Sequence, residues 1–455
     1  METLYHSTRS KADTVGSKQA ILTGIAPDGG LYVSDQILEA EVDLAAVCAN
    51  DYHANARLVL GTLLTDYTAQ EISTCVEGAY GSQWDTTAIT PVSALGEDWL
   101  LELYHGPTCA FKDVALQMLP RLMSVARRTA GDGHDVMILT ATSGDTGKAA
   151  LEGFADVEGT GVTVFYPDGK VSDVQRLQMV TQRGGNVAVC GIRGNFDDAQ
   201  TEVKRIFADA DFARDLLANN TVLSSANSIN VGRLVPQVTY YCDAYAQLVR
   251  TGAVALGDAV DFCVPTGNFG DVLAGYYAKL LGLPVGRLIV ASNANNVLTD
   301  FITTGTYDRR RPFHKTISPS MDILVSSNLE RLLYYLCDGD CAEVAGYMAD
   351  LADKGFYTVS SRVLDRLRET FACGFADDDA TRDTILGAWQ DLGVLIDTHT
   401  AVGKAVADAR ASEGRQRICL STASPYKFSA DVLAALGAST EGLDGFACMD
   451  QLERI

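Results

Sequence analysis

The chain has 455 residues, 47% hydrophobic and 21% charged, the balance of a globular protein long enough for two or three domains. Its formal net charge of −22 argues against nucleic acid as a main partner, because such binding depends on clustered Lys and Arg. No apolar run reaches the roughly 18 residues that cross a bilayer, and the opening METLYHSTRSKADTV lacks the apolar stretch of a secretory signal. A cytoplasmic protein with no membrane partner is expected.

Residues 1–90 read as a mostly helical N-terminal domain, since DLAAVCAN (43–50) and NARLVLGTLLTDY (55–67) carry apolar residues at three- and four-residue spacing. TPVSAL marks a boundary near Thr90 and Pro91. Beyond it, strand-like runs alternate with helical stretches. The strands are DVMILT (135–140), GVTVFYP (161–167), NVAVCGI (186–192), VDFCVP (260–265) and RLIVASN (287–293). The helices include 171–184, 197–210 and 231–249. Such alternation predicts an α/β fold with parallel sheets covered by helices on both faces. A first α/β domain is expected over 91–245 and a second over 246–455, with a helical insertion at about 325–410 and a last strand beginning at Arg417.

The 11 cysteines are scattered and include no zinc-type pairs, and none of the six histidines stands at metal-ligand spacing. Reduced, packed thiols and no metal site are expected.

Three loops following strands are rich in Gly, Ser, Thr and Asn: ATSGDTGKAA (141–150), ANSINVGR (226–233) and PTGNFGDVLAG (265–275). In open α/β sheets such loops lead into helix N-termini, where backbone N–H groups bind anions. Neither commoner Gly-rich template fits. Thr142 and Ala149 break the nucleotide P-loop pattern, and Asp271 follows Gly267 and Gly270 far too closely to read a ribose.

HGPTCAFKD (105–113) contributes a different element. A lone lysine is ordinarily a solvated charge, but Lys112 stands between Phe111 and a mostly apolar helix, after a Gly-Pro turn. Burial favours the neutral amine, which attacks aldehydes. A lysine of this kind beside anion-binding loops suits pyridoxal phosphate.

HGPTCAFKD, SGDTG and PTGNFGD together resemble signatures of the threonine synthase family. STR (7–9), APDGGLYV (26–33), NSINVGR (227–233), SPSMDI (318–323) and STASPYKF (421–428) resemble further parts of it, in the family's order, from about residue 5 to 430. The resemblance implies the fold-type II pyridoxal-phosphate architecture, similar to the tryptophan synthase β-subunit: two parallel-sheet α/β domains with an N-terminal domain and helical insertions. It implies that Lys112 binds the cofactor aldehyde covalently and then shuttles protons. Gly267, Asn268, Phe269, Gly270 and Asp271 would cradle the cofactor phosphate, and Thr422 would face the pyridine nitrogen. Ser143, Gly144, Asp145, Thr146 and Gly147 would grip the substrate carboxylate, and Asn227, Ser228 and Arg233 the substrate phosphate. Asn227 and Ser228 also suit a plain helix cap, and Arg233 a surface salt bridge. The roles of His105 and Lys148 stay open, and Cys109 is expected to pack.

The implied reaction converts O-phospho-L-homoserine and water into L-threonine and phosphate, by γ-elimination followed by β-replacement. A phospholyase that releases a 2-oxo acid, or a non-catalytic amino-acid-binding homologue, are the alternatives. A monomer or homodimer acting on a small molecule is expected.

Overall fold

A computed structural model describes residues 4–129, 133–142, 144–169, 171, 173–194, 196–411 and 414–455. Two separate, mostly parallel sheets form the frame, and their connecting helices fill the space between and around them.

The larger sheet runs in the order Phe371–Phe375, Val285–Ser292, Val260–Pro265, Arg417–Ser421, Asp98–Glu102, Val92–Leu95. All its pairings are parallel except the last, a hairpin edge. The period-two alternation of a strand divides its side chains between two cores. Phe262, Val264, Leu288, Val290, Ile418 and Leu420 face one core, where the helices Val231–Thr251 and Gly270–Leu280 pack. Cys263, Ile289, Ala291 and Cys419 face the other, under Asp378–Leu392, Thr398–Asp408 and Ser429–Ala435. Burial on both faces explains the nearly unbroken apolar runs that these strands show in sequence.

The smaller sheet has the order Val187–Ile192, Thr160–Pro167, Asp135–Ala141, Thr221–Ser224, with every pairing parallel. Helix Asp145–Phe154 lies across helix Lys112–Thr129, and the crossing has a specific chemical basis. Pro120 lacks the N–H that would bond the carbonyl of Leu116 four residues earlier. Gly153 approaches that carbonyl so closely that a Cβ there would lie 1.9 Å from the oxygen.

Sheet membership cuts across the chain division expected at residue 245. Val92–Leu95 and Asp98–Glu102 precede the smaller sheet in sequence yet join the larger one. The expected strands at 135, 161, 186, 260, 287 and 417 are present within about two residues. Several strands lie outside that reading, among them Val92–Leu95, Asp98–Glu102 and the two-stranded sheet of Thr306–Asp308 with Phe356–Thr358, and two further cases bear on the expected domains. Residues expected to be mostly helical begin with a three-stranded antiparallel sheet, Ser10–Gly16, Leu4–Ser7, Tyr32–Val33. The helical insertion also contains Phe371–Phe375, which is an edge strand of the larger sheet.

The N-terminal segment has a positioning task. Arg9 donates from Nε and Nη2 to Glu330 at 2.8 and 2.9 Å, and Thr8 donates to the same carboxylate at 2.6 Å. Arg331, fully buried on the next residue, donates to the Tyr32 carbonyl at 2.9 Å. These bonds fix the start of helix Leu329–Leu336. Asn328, just before it, donates to the carbonyls of Ser228 at 3.1 Å and Asn268 at 3.2 Å.

Candidate active site

The carboxyl ends of strands from both sheets converge. From the larger sheet come the lysine loop after Asp98–Glu102, the Gly267–Gly270 turn after Val260–Pro265, and Thr422 after Arg417–Ser421. From the smaller sheet come Thr142, Gly144 and Asp145 after Asp135–Ala141 and Ser225–Asn230 after Thr221–Ser224. This is where an open α/β sheet binds its ligands.

The lysine loop is zipped onto the segment after Arg417–Ser421. Phe111 N–H donates to the Thr422 carbonyl at 2.9 Å, and Ser424 N–H to the Cys109 carbonyl at 3.1 Å. Cys109 adopts a positive φ of 58° and is exposed, contrary to the packed position expected of it; Cys190 is exposed as well. Asp113 closes the loop by accepting from Thr108 N–H at 2.8 Å and Thr108 Oγ1 at 2.6 Å. Burial raises the Asp113 carboxyl to about 6 despite those bonds.

Lys112 opens its helix with a side chain only 12% exposed, its Nζ 4.7 Å from the Phe111 ring centroid and 3.5 Å from Asp145 Oδ2. Burial lowers its pKa against the pull of Asp145, and the positive charges of Lys427 and Arg233 lower it further. The result favours a nucleophilic free amine.

Asp145 collects the polar groups of several segments. Its Oδ1 accepts from Lys427 Nζ at 2.9 Å and Gln175 Nε2 at 3.1 Å, and its Oδ2 from Ser320 Oγ at 3.1 Å. Burial alone would raise this carboxyl, but Lys427 and Lys112 hold it well below the usual carboxylate range. Ser320 N–H in turn donates to His399 Nε2 at 3.1 Å, while His399 Nδ1 bonds Asp397 at 2.7 Å.

Gly267 and Gly270 bracket a turn that is tightly packed at Gly267 and in ordinary contact with its neighbours at Gly270. A Cβ at Gly267 would stand 2.9 Å from the Ser320 carbonyl, and one at Gly270 would stand 3.6 Å from Ser228 Cβ. Phe269 holds a left-handed φ of 61°, which turns the chain sharply into helix Gly270–Leu280. The first-turn N–H groups of that helix have no carbonyl within it. The Asp271 side chain turns away into the core, accepting from Tyr240 at 2.6 Å and Tyr241 at 2.9 Å. Its backbone, rather than its carboxyl, is available to an anion. Burial raises that carboxyl to about 6, which lessens its repulsion of a neighbouring negative group.

Arg233 is not a surface residue. It is 3% exposed on helix Val231–Thr251, donates from Nη1 to the Ala226 carbonyl at 2.7 Å, and has an Nε with no partner among the described residues. Burial lowers its pKa to about 10. Asn227 and Ser228 lie one turn before that helix, partly exposed, beside the Gly270 turn.

Among the described residues, Lys112, Asp145, Gly267, Gly270, Ser228, Arg233 and Thr422 lie on adjoining loops and helix starts. Gly144 and Gly147 differ in one respect: both donate their N–H groups to Thr142 Oγ1, at 3.0 and 2.9 Å, so these two N–H groups are already engaged. Thr146 is partly exposed on the first turn beside them, and Ser143 lies outside the described residues. Lys148 points elsewhere, bonded to Glu152 at 2.9 Å and to Gln182. His105 bridges Asp85 at 2.6 Å and Glu102 at 2.8 Å, which makes it a support for the lysine loop. Lys427, Ser320, Gln175, His399 and Asp397 were not foreseen. Lys427 and Ser320 sit inside quoted motifs, STASPYKF and SPSMDI, and Lys427 stands between two aromatics. The other three have no sequence signal.

Pyridoxal phosphate suits this set of residues. A buried lysine that gives up its proton more readily than an exposed one meets the aldehyde's need, the Gly267–Gly270 cradle meets a phosphate's, and Arg233 has an Nε unpartnered among the described residues for a second anion. No group of three or more His, Cys, Asp or Glu among the described residues is arranged to hold a metal. None of the described helices is long and apolar enough to cross a membrane.

Comparison with known proteins gives the same picture. Residues 87–359 match the family of pyridoxal-phosphate dependent enzymes, residues 4–80 the threonine synthase N terminus, and residues 400–454 the threonine synthase C-terminal family. Threonine synthase of Pseudomonas aeruginosa is 39% identical over 430 residues, covering 93% of this chain and 88% of that protein. Human threonine synthase-like 1 is 38% identical over 430 residues, but the match spans 92% of this chain and only 58% of the human protein. Among solved structures, pyridoxal-phosphate-bound threonine synthase from Brucella melitensis superposes with a TM-score of 0.89 at 38% identity, covering 99% of this chain and 94% of that one. The yeast threonine synthase gives 0.87 at 33%, with the same coverage. The chain belongs to the threonine synthase family of pyridoxal-phosphate-dependent fold-type II enzymes.

Proposed function

We propose that the chain is a threonine synthase, converting O-phospho-L-homoserine and water into L-threonine and inorganic phosphate. The observation that carries this reading is Arg233, a buried cation that among the described residues has no carboxylate partner and an unbonded Nε. An enzyme needing only to hold its cofactor has no use for a second buried anion site, and a guanidinium suits phosphate because its planar fork pairs with two oxygens.

Gly267, Asn268, Phe269, Gly270 and Asp271 would hold the cofactor phosphate through backbone N–H groups at the start of their helix. The Thr422 hydroxyl would meet the pyridine nitrogen, as a partner that need not impose a proton. When bound, pyridoxal phosphate supplies an electron sink for negative charge at the substrate α-carbon.

The protein's own residues would do the rest. Lys112 Nζ handles one proton at a time, removing one from Cα and one from Cβ and returning one at Cγ and, after water has added at Cβ and given its spare proton to the released phosphate, one at Cα; its lowered pKa suits a group that alternates between base and acid. Arg233, with Asn227 and Ser228, binds the substrate phosphate and continues to stabilise its charge as it departs from Cγ. Thr146, with the other residues of 143–147, orients the substrate carboxylate at the helix N-terminus. Water then adds at Cβ.

Incubation of the purified protein with O-phosphohomoserine tests the proposal. Equimolar threonine and phosphate are expected; 2-oxobutyrate with phosphate would instead identify a phospholyase, and no phosphate release a binding protein. Lys112→Ala should abolish turnover.

A further inference from the structure

Lys427 has no part in the chemistry above, yet it is among the most completely enclosed charges in the site, with a side chain 2% exposed. Burying an ammonium costs several kcal/mol unless it is paired, and a Met would fill similar space without that cost. Its two partners indicate what it does. Nζ donates to the Thr108 carbonyl at 2.8 Å, inside the lysine loop, and to Asp145 Oδ1 at 2.9 Å, on the smaller sheet's side. Lys112 meets the other oxygen of the same carboxylate, at the longer distance of 3.5 Å.

Two lysines thus share one carboxylate, and Lys427 has the shorter contact. Gln175 and Ser320 occupy further acceptor positions on Asp145 at 3.1 Å each. Among the described residues, the other charged or titratable groups around the cluster include Arg233, Asp113 in the lysine helix, Asp271 and His399, each already bonded to other partners, and the Cys109 thiol of the lysine loop.

We propose that Lys427 is a positioning residue for Lys112. By holding Asp145 at short range it keeps that carboxylate from locking the Lys112 nitrogen in a protonated ion pair. Through Thr108 it also fixes the lysine loop against the Asp145 helix. Without Lys427, Lys112 would be the one lysine beside Asp145 among the described residues, and the Lys112 nitrogen would retain its proton to higher pH. The lowering of the Lys112 pKa by Lys427 has this same sign.

The inference rests on Lys112 being the cofactor lysine, and the test separates the two. In the holoenzyme, the pH course of the bound cofactor's absorbance reports the protonation of the Lys112 nitrogen without any turnover. Lys427→Met should move its midpoint upward by about one to three pH units, and Lys427→Arg should restore most of the shift. A merely structural role for Lys427 would not move that midpoint. A folded Lys427→Met protein that titrates like wild type overturns the inference. Should that variant fail to fold, Lys427→Gln, which keeps an N–H for Thr108 and Asp145, decides by the same criterion. If Lys112→Ala shows the same absorbance and pH course as wild type, the cofactor-lysine reading itself fails.

Discussion

Replacing Arg233 with Met separates stability from function. In the cofactor-free protein the guanidinium is buried with no carboxylate partner among the described residues, and burial pushes its pKa down from the usual arginine range to about 10. A displacement of that size corresponds to roughly 3 kcal/mol held against the charged form. Met fills much of the same volume without a charge, but it strands the Ala226 carbonyl, which now accepts from Nη1 at 2.7 Å; a lost bond of this kind costs about 1–2 kcal/mol. The balance predicts a cofactor-free variant that is more stable by about 1–2 kcal/mol, or roughly 1–2 °C in melting temperature for a chain of this size. Activity should move the other way. Loss of a buried, charge-assisted phosphate contact is worth about 3–4 kcal/mol, so kcat/KM for O-phosphohomoserine should fall roughly 10²- to 10³-fold. Thermal denaturation with and without added inorganic phosphate, beside steady-state kinetics, checks both halves. A variant that melts well below wild type, or one that keeps its kcat/KM, refutes the assignment of Arg233 as an anion site held at a cost to stability.

Two further outcomes follow from buried positions. Gly153→Ala places a methyl 1.9 Å from the Leu116 carbonyl, so the two crossing helices must separate; a loss of about 2–4 kcal/mol in denaturant unfolding is expected. Gly346→Ala, on an exposed helix position with nothing within 4 Å, should instead stabilise by about 0.5–1 kcal/mol; equal effects at the two positions would contradict the helix-crossing argument. Burial raises the folded Asp271 carboxyl to about 6, above the 3.8 of an exposed aspartate, so the folded state binds the extra proton between those values and stability falls as pH rises through that window. Asp271→Asn removes this dependence, and its advantage over wild type should grow from nothing near pH 4 to about 2–3 kcal/mol above pH 6, read from unfolding curves at several pH values. A constant difference between the two proteins across that range would count against a buried, proton-binding Asp271.

Central strands such as VDFCVP and RLIVASN are legible because burial on both faces writes them as apolar runs. Ser10–Gly16, SKADTVG, has no such signature; it is largely exposed and polar, and its pairing with Leu4–Ser7 is fixed by tertiary contacts. Phe371–Phe375 escaped notice because FACGF is short, contains a Gly, and follows a strongly helical stretch; an edge strand needs only one partner. The loops of the site were legible for a different reason. Sharp turns and close backbone approach demand Gly, and Gly267 against the Ser320 carbonyl is an instance. Residues that act through long-range partners left no such mark. Thr108 and Lys427 meet across 319 positions, and Ser320 and Asp145 across 175. Residue type alone reveals that Lys427 is cationic, not that it shares a carboxylate with Lys112.

His105 extends that point, since its neighbours make it a pH-dependent clasp on the loop that carries the reactive amine. Its ring bridges Glu102, half-buried in the larger sheet, and Asp85, which belongs to the segment following the N-terminal helices. The bond to Glu102 raises the His105 pKa despite burial, and Asp85 raises it further. The clasp is therefore complete below the unfolded value of 6.5 and weakens as pH rises through the higher folded value. Because the Asp85 side is largely exposed, the whole effect is about 1 kcal/mol after screening. Hydrogen exchange of the backbone over 103–113, corrected for the intrinsic rate at each pH, should quicken by about fivefold on the alkaline side in the wild-type protein. His105→Gln keeps one hydrogen bond and loses the charge, so its exchange should be faster at low pH and flat across the same range. A wild-type loop whose protection is independent of pH would mean that the bridge is incidental, and that Asp113 and the Thr422 pairing alone hold Lys112 in place.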